Sequence, residues 1–195
     1  GKKLSKRDGA MGVMDYQKMG YLPEALLNFL VRLGWSYGDE EIFSLSRLLE
    51  IFDPYTLNTA PSSYNQEKLL WLNQHYIKQT PNAKLVELLK DFGVQSLETY
   101  KGINTTPQAL DSLFGELKDR SKTLVEFATQ YNEILQAPTT YDPKLLKKLD
   151  SQGKEIMQKL CAFLPTLCAD SPSDIESALH TFGDTHQLKI GQIMP

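Results

Sequence analysis

The stretch Pro23–Leu33, PEALLNFLVRL, decides how the rest of the chain is read. Its apolar residues fall at 26, 27, 30, 31 and 33, which is one stripe of a 3.6-residue helix and not the alternation of a strand. Pro23 suits a first helical turn and Gly34 suits a stop. Working outward, the same grammar recurs. Ser44–Phe52 (SLSRLLEIF) repeats the stripe and ends at Asp53-Pro54, and Asn65–Lys78 sets Leu69, Leu72 and Tyr76 along one side. Thr80-Pro81 predicts an N-cap with Pro at the first helical position, opening a helix to Phe92 with Gly93 as its C-cap. Thr106-Pro107 predicts another helix to about Arg120, and Thr123–Leu135 is the next. Asp142-Pro143 predicts a helix through Lys144–Leu149 and on to Phe163, and Ser171-Pro172 one through Leu179. No alternating β-branched run reaches strand length. The expected fold is all-α, built of short antiparallel helical bundles. Gln79-Thr80-Pro81-Asn82 and Gln136-Ala137-Pro138-Thr139-Thr140 read as linkers between helical groups.

The bulk properties bound the function. The 195 residues permit one large domain or a few small ones, and 41% hydrophobic content is enough for packed cores. A net charge of −3 excludes a globally basic nucleic-acid coat but leaves room for local patches. No apolar run approaches a membrane span, no signal-peptide pattern opens the chain, and Cys161 and Cys168 make no disulfide framework, so a cytoplasmic protein is expected. Charge is uneven. Lys2, Lys3, Lys6 and Arg7 stand against Asp8 alone, residues 38–67 set Arg47 against six carboxylates, and residues 144–159 carry five lysines against Asp150 and Glu155. Solvated helix faces are the plain reading of such runs.

Lys3-Leu4-Ser5-Lys6-Arg7, followed by Asp8-Gly9, is a basic loop with a glycine hinge. Ammonium groups on such a loop can close over a polyphosphate and stabilise charge on a departing pyrophosphate, with Ser5 adding a hydroxyl donor. A basic tail is the competing reading. The neighbouring residues weigh against it. K-L-S-K-R-D-G-A over Lys3–Ala10, Y-x-x-x-G-Y-L-P-E-A-L-L-N-F-L-x-x-L-G-W over Tyr16–Trp35, F-S-L-x-x-L-L-x-x-F over Phe43–Phe52 and E-K-L-x-W-L-N-x-x-Y-I over Glu67–Ile77 form a long ordered series. It closely resembles the bacterial glutamyl-tRNA synthetases, which are class I aminoacyl-tRNA synthetases. Further along, Arg120-Ser121-Lys122-Thr123-Leu124 and Leu188–Gln192 carry the likeness.

The resemblance implies a layout. Residues 1–10 would end a catalytic domain and hold the second class I signature, the KMSKS loop. Residues 11–79 would form a stem-contact domain, 80–138 a first anticodon-binding subdomain and 139–195 a second, cut short before its last helices. The chain, starting without Met, would then begin inside the catalytic loop. By the same likeness Lys6, with Ser5 and Arg7, would contact the ATP phosphates, and Lys3 and Ser5 would support loop closure. The His-rich first signature, the glutamate pocket and any zinc-binding insert have no match here, so the segment alone would not aminoacylate. The implied parent uses ATP with Mg2+ and L-glutamate and charges tRNA-Glu, with tRNA-Gln a second candidate, as a monomer away from membranes. A helical anticodon region argues against the glutaminyl relative, whose anticodon domain is built of β-barrels. It also argues against the truncated relative that glutamylates a tRNA base and lacks an anticodon domain.

Individual RNA contacts each have a plain rival. Lys68 can meet a phosphate or be a solvated helix lysine. Arg120, at the end of one helix just before the next, can hydrogen-bond or stack on an unpaired anticodon base, as an Arg of the family does in this general region. A helix dipole favours Arg there as well. Lys122, Lys144, Lys147, Lys148, Lys154 and Lys189 can line a phosphate path or simply be solvated. Trp71, flanked by Leu69, Leu70 and Leu72, and Trp35 read as core. Asn28 and Asn73 read as bridges to backbone groups, Cys161 and Cys168 as apolar filler, and His75, His180 and His186 show no metal spacing. Tyr64-Asn65 stands where the family has Phe-Asp, which puts that helix cap in question. A stand-alone helical RNA-binding or protein-interaction module and a scaffold without nucleic acid are the competing functions.

Overall fold

Helix boundaries follow the caps. The computed structural model describes residues 11–60, 62–94, 107–136, 139–143, 146, 151–167 and 171–193. The helix expected over 144–149 lies almost wholly outside them, and Cys168 lies outside. α1 spans Val13–Lys18, with the Asp15 carboxylate accepting from the Gly12 N–H at 2.9 Å. α2 spans Pro23–Gly34 with proline in its first turn. α3 spans Leu45–Ile51, where the Ser44 hydroxyl accepts from the Arg47 N–H. A 3-10 turn over Pro54–Thr56 follows. α4 spans Gln66–Gln79, and the Asn65 side-chain oxygen accepts from the Lys68 N–H at 3.1 Å. The cap put in question by Asn65 therefore forms, because an amide oxygen accepts there as a carboxylate would.

α5 spans Asn82–Leu89 and tightens into a 3-10 turn over Lys90–Phe92 before Gly93 at φ +79°. Here one expectation fails. Thr80 is the C-cap of α4, its hydroxyl donating back to the Tyr76 carbonyl at 2.8 Å, and Pro81 takes the N-cap place of α5. α6 spans Pro107–Arg120 and α7 spans Leu124–Leu135, with the Thr123 hydroxyl accepting from the Glu126 N–H. α8 spans Ser151–Phe163 and runs into a 3-10 turn over Leu164–Thr166. α9 spans Pro172–His186, seven residues past the expected Leu179, and α10 spans Ile190–Ile193. Among the described residues there is no strand, only an isolated bridge between Tyr37 and Glu40, so the fold is all-α. No helix among them is long and apolar enough to cross a membrane.

The chain divides into two units, residues 1–137 and 138–195. In the first, α2 packs on α4, α4 on α6, and α7 on both α5 and α6. One apolar cluster joins Leu22, Ala25 and Ile77 to Leu85, Leu89, Phe114, Leu117, Phe127 and Tyr131, so residues on both sides of positions 79–82 share a core. A second gathers Tyr21, Phe29, Leu69 and Leu72, and a third Trp35, Phe43 and Leu48. Trp35 is buried as expected, its indole N–H donating to the Thr56 hydroxyl at 3.1 Å. Gly20, at φ +82°, brings the α1–α2 turn against the start of α7. A Cβ built there would lie 2.6 Å from the Val125 nitrogen and 2.7 Å from that of Leu124, so only glycine fits.

In the second unit Ile156, Leu160, Leu179, Phe182 and Ile193 form the core, with the Phe163 and Phe182 rings 4.9 Å apart. Cys161, read as filler, is exposed on α8. Its helical face is set by Ile156 and Leu160, which turn position 161 away from that core.

Candidate nucleic-acid interface

α4 carries the first group of candidate residues. Lys68 does not point free into solvent. Its ammonium lies 2.5 Å from Glu41 Oε2 and 4.4 Å from the centre of the Trp71 ring, a cation–π arrangement. Glu41 Oε1 is also 3.9 Å from Arg32. The hydrogen bond and charge of Lys68 hold the Glu41 carboxyl below the usual carboxylate range, with Arg32 adding a smaller pull. Trp71, expected in the core, is 44% exposed. The helix turns about 100° per residue, so with Leu69 and Leu72 buried the intervening position 71 faces outward. His75 comes one turn later, its ring 6.3 Å from that of Trp71, and pairs with Gln79 at 2.9 Å.

The α6–α7 junction carries the second group. Arg120 closes α6 with its side chain 71% exposed and a surface ion pair to Glu116 at 3.3 Å. Lys122, two residues on, is exposed as well. The backbone beneath them is held from several sides. The Asp119 carbonyl accepts from Gln74 Nε2 at 2.8 Å, and the Lys122 carbonyl accepts from Asn73 Nδ2 at 2.7 Å. The Lys122 N–H donates to Glu126 at 2.7 Å, and the Leu124 N–H donates to the Gly20 carbonyl at 2.9 Å. Lys78 adds an ion pair to Asp119 at 2.8 Å. Nearby, burial pushes the Lys118 ammonium below its ordinary value while it donates to the Thr80 carbonyl at 2.7 Å.

Asn28 and Asn73 are the backbone bridges expected of them. Both are fully buried. Asn28 donates to the Glu41 carbonyl and accepts from the Phe43 N–H, while Asn73 accepts from the Leu22 N–H at 2.7 Å. The fold thus places Lys68 on α4 and, in the same unit, Arg120 and Lys122 on a corner anchored to α4. Lys154 and Lys189 are exposed in the second unit. Lys3, Ser5, Lys6, Arg7, Lys144, Lys147 and Lys148 lie outside the described residues. Sequence reasoning missed Glu41 and Gln74, which lie far in the chain from the residues they hold, so no local spacing announces them. It also missed Glu126, although Thr123-x-x-Glu126 is a capping-box signature.

The described residues contain no cluster of His, Cys, Asp and Glu able to hold a metal ion. A cleft of about 750 Å³ lies between α1 and the end of α5, lined by Val13, Met14, Tyr21, Leu88, Phe92 and Leu124 among others. It is mainly apolar and includes none of the candidate cations.

Comparison with known proteins places this frame among tRNA-synthetase domains. Residues 84–195 match the family described as anticodon binding domain, and residues 1–71 match the class I tRNA synthetase (E and Q) catalytic domain. The first match covers more than half of the chain, which therefore belongs to the anticodon binding domain family. The chain is 57% identical over 196 residues to glutamate–tRNA ligase 1 of Helicobacter hepaticus, covering 100% of this chain and 40% of that protein. It is 51% identical to glutamate–tRNA ligase 1 of Wolinella succinogenes, covering 99% and 40%. A crystal structure of a glutamate tRNA ligase from Elizabethkingia meningosepticum superposes with a TM-score of 0.72 at 23% identity, covering 100% of this chain and 41% of that one, so the two share a fold. The chain spans about two fifths of the length of the curated relatives it matches.

Proposed function

We propose that this chain is the tRNA-binding part of a glutamate–tRNA ligase, which joins L-glutamate to tRNA-Glu through glutamyl-adenylate formed with ATP. The observation that carries the reading is the likeness to glutamate–tRNA ligases along the whole chain. The exposed, backbone-anchored Arg120 corner agrees with it. Residues 11–79 lie along the tRNA stem, and 80–138 and 139–195 approach the anticodon. Arg120 reads an anticodon base. Its guanidinium can stack on or hydrogen-bond an unpaired base, and its side chain is free of the core. Lys68, Lys122, Lys144, Lys147, Lys148 and Lys189 meet phosphates as point charges. At the other end, Lys6 with Ser5 and Arg7 contacts the ATP phosphates, Lys3 supports loop closure, and Mg2+ arrives on the ATP. The Lys6 ammonium stabilises the negative charge that grows on the departing pyrophosphate. The parent works in the cytoplasm as a monomer. The segment alone binds tRNA and does not aminoacylate.

Gel shift of the 195-residue chain with tRNA-Glu at several salt concentrations tests the core of this reading. Binding that weakens linearly on a log–log salt plot is expected. No binding at low salt overturns it. In the full-length ligase, Lys6→Ala should slow adenylate formation far more than it weakens tRNA binding, and equal losses would remove Lys6 from the ATP site. Comparing glutamylation of tRNA-Glu and tRNA-Gln by the same enzyme decides whether the second tRNA is also a substrate.

A further inference from the structure

Asn73 spends its carboxamide on groups far away in the chain. Oδ1 accepts from the Leu22 N–H at 2.7 Å, while Nδ2 donates to the Gly20 carbonyl at 3.2 Å and to the Lys122 carbonyl at 2.7 Å. The side chain is fully buried, so water supplies none of these bonds. Its neighbour Gln74 donates to the Asp119 carbonyl at 2.8 Å. The carbonyls of residues 119 and 122, which flank Arg120, are thus both held by consecutive side chains of α4. The last carbonyls of a helix have no partner within it, and the last turn ordinarily frays. α6 ends at Arg120, and here its end is tied down from outside.

We infer that Asn73, assisted by Gln74, is a positioning residue for the Arg120–Lys122 corner: it fixes the backbone from which both cations reach RNA, without touching RNA itself. The inference rests on the anticodon-reading role proposed for Arg120. Its physical content is preorganisation. Among the described residues an exposed ion pair to Glu116 is what holds the Arg120 side chain, so the direction of its reach is set by where its Cα sits. A corner free to fray would lose, on binding, the freedom that the α4 ties have already removed. Selectivity then depends on a buried amide as well as on the guanidinium.

Two substitutions separate this from a general role in stability. Asn73→Asp keeps the acceptor for the Leu22 N–H but turns an oxygen toward the Gly20 and Lys122 carbonyls, so it releases the corner and leaves α2 tied. Gln74→Met removes only the bond to Asp119 from a half-buried position, and decides the question where Asn73→Asp fails to fold. The measurement is kcat/KM of the full-length ligase on tRNA-Glu transcripts carrying the natural anticodon or single-base changes. Each variant is made with and without Arg120→Ala. Either variant should lower anticodon discrimination about tenfold, as expected for residues coupled in one network. The change should sit in KM with kcat preserved, and should add nothing once Arg120 is alanine. Unchanged discrimination, or losses that multiply fully with that of Arg120→Ala, would overturn the inference. If Arg120→Ala alone leaves discrimination unchanged, the proposed reading of the anticodon fails, and this inference falls with it.

Discussion

The Tyr76 hydroxyl on α4 lies 2.8 Å from Asn28 Oδ1 on α2, and the same hydroxyl lies 2.7 Å from the Phe43 carbonyl. Asn28 in turn accepts from the Phe43 N–H at 2.8 Å and donates to the Glu41 carbonyl at 2.9 Å. Two helices and the extended segment between α2 and α3 are therefore closed around one buried amide. Burial raises the Tyr76 phenol above its ordinary value, which keeps it a donor at all physiological pH.

Asn28→Ala should destabilise the chain by about 2–3 kcal/mol, because it leaves the buried Phe43 N–H without its acceptor and removes the part-buried bond to the Glu41 carbonyl. Urea unfolding checks this. A loss no larger than that of an exposed substitution would show that water takes over those bonds.

Gly20→Ala should cost about 3 kcal/mol or more. The φ of +82° strains any side chain, and the new methyl would meet backbone nitrogens of α7, which cannot swing aside as a side chain can. Gly93→Ala is the control. It shares the strain at φ +79° but meets no atom within 4 Å, so it should cost distinctly less in the same denaturation experiment.

Lys68→Met should raise the titration midpoint of the Glu41 carboxyl, measured by carbon-detected NMR, because the lysine is the chief cause of its depression. A carboxyl whose folded value lies below its unfolded one contributes stability that is complete above the unfolded value and lost as pH falls through the folded one. Wild-type protein should thus lose this pair only in acid. Conversely, Glu41→Gln frees the Lys68 ammonium and should tighten tRNA binding at low salt, an effect that fades at high salt.

Trp35 and Trp71 are the two tryptophans of the chain, one buried and one exposed. Iodide should quench one component of the emission and spare the other. In Trp71→Phe the remaining emission should resist quenching; full quenching there would mean that Trp35 is open to solvent.

Fold and site differ in how far the sequence reveals them. Pro23 and Gly34 at the ends of α2, Thr123 at the start of α7 and Ser171 before α9 are local signals, and each marks a real boundary. Thr80 misleads because a threonine hydroxyl between two helices has two uses. It can cap α5 or bond back into α4, and the Tyr76 carbonyl takes it. Trp71 misleads because Leu69-Leu70-Trp71-Leu72 looks uniformly apolar, whereas a helix can bury only part of such a run. The exposed cations were visible as residue types. Whether each is free or engaged depends on partners such as Glu41, 27 residues from Lys68, or Asn73, 49 residues from Lys122, and no period in the sequence carries that information.

The close approach of Gly20 to α7 also sets an order of events. A chain emerging from the ribosome N-terminus first has released α1, α2 and α4 well before Leu124 appears, roughly a hundred residues after Gly20. Until then the Gly20 carbonyl lacks its Leu124 donor and keeps only that of Asn73, the Asn73 amide hydrogen destined for the Lys122 carbonyl has only water to bond, and the slot that Leu124 will fill stands open. The half-made molecule is a body with a wet seam. Because the contacts that seal it are so distant in sequence, closure is a late step in folding, and in the cell the nascent helices α1 to α4 must stay soluble while they wait.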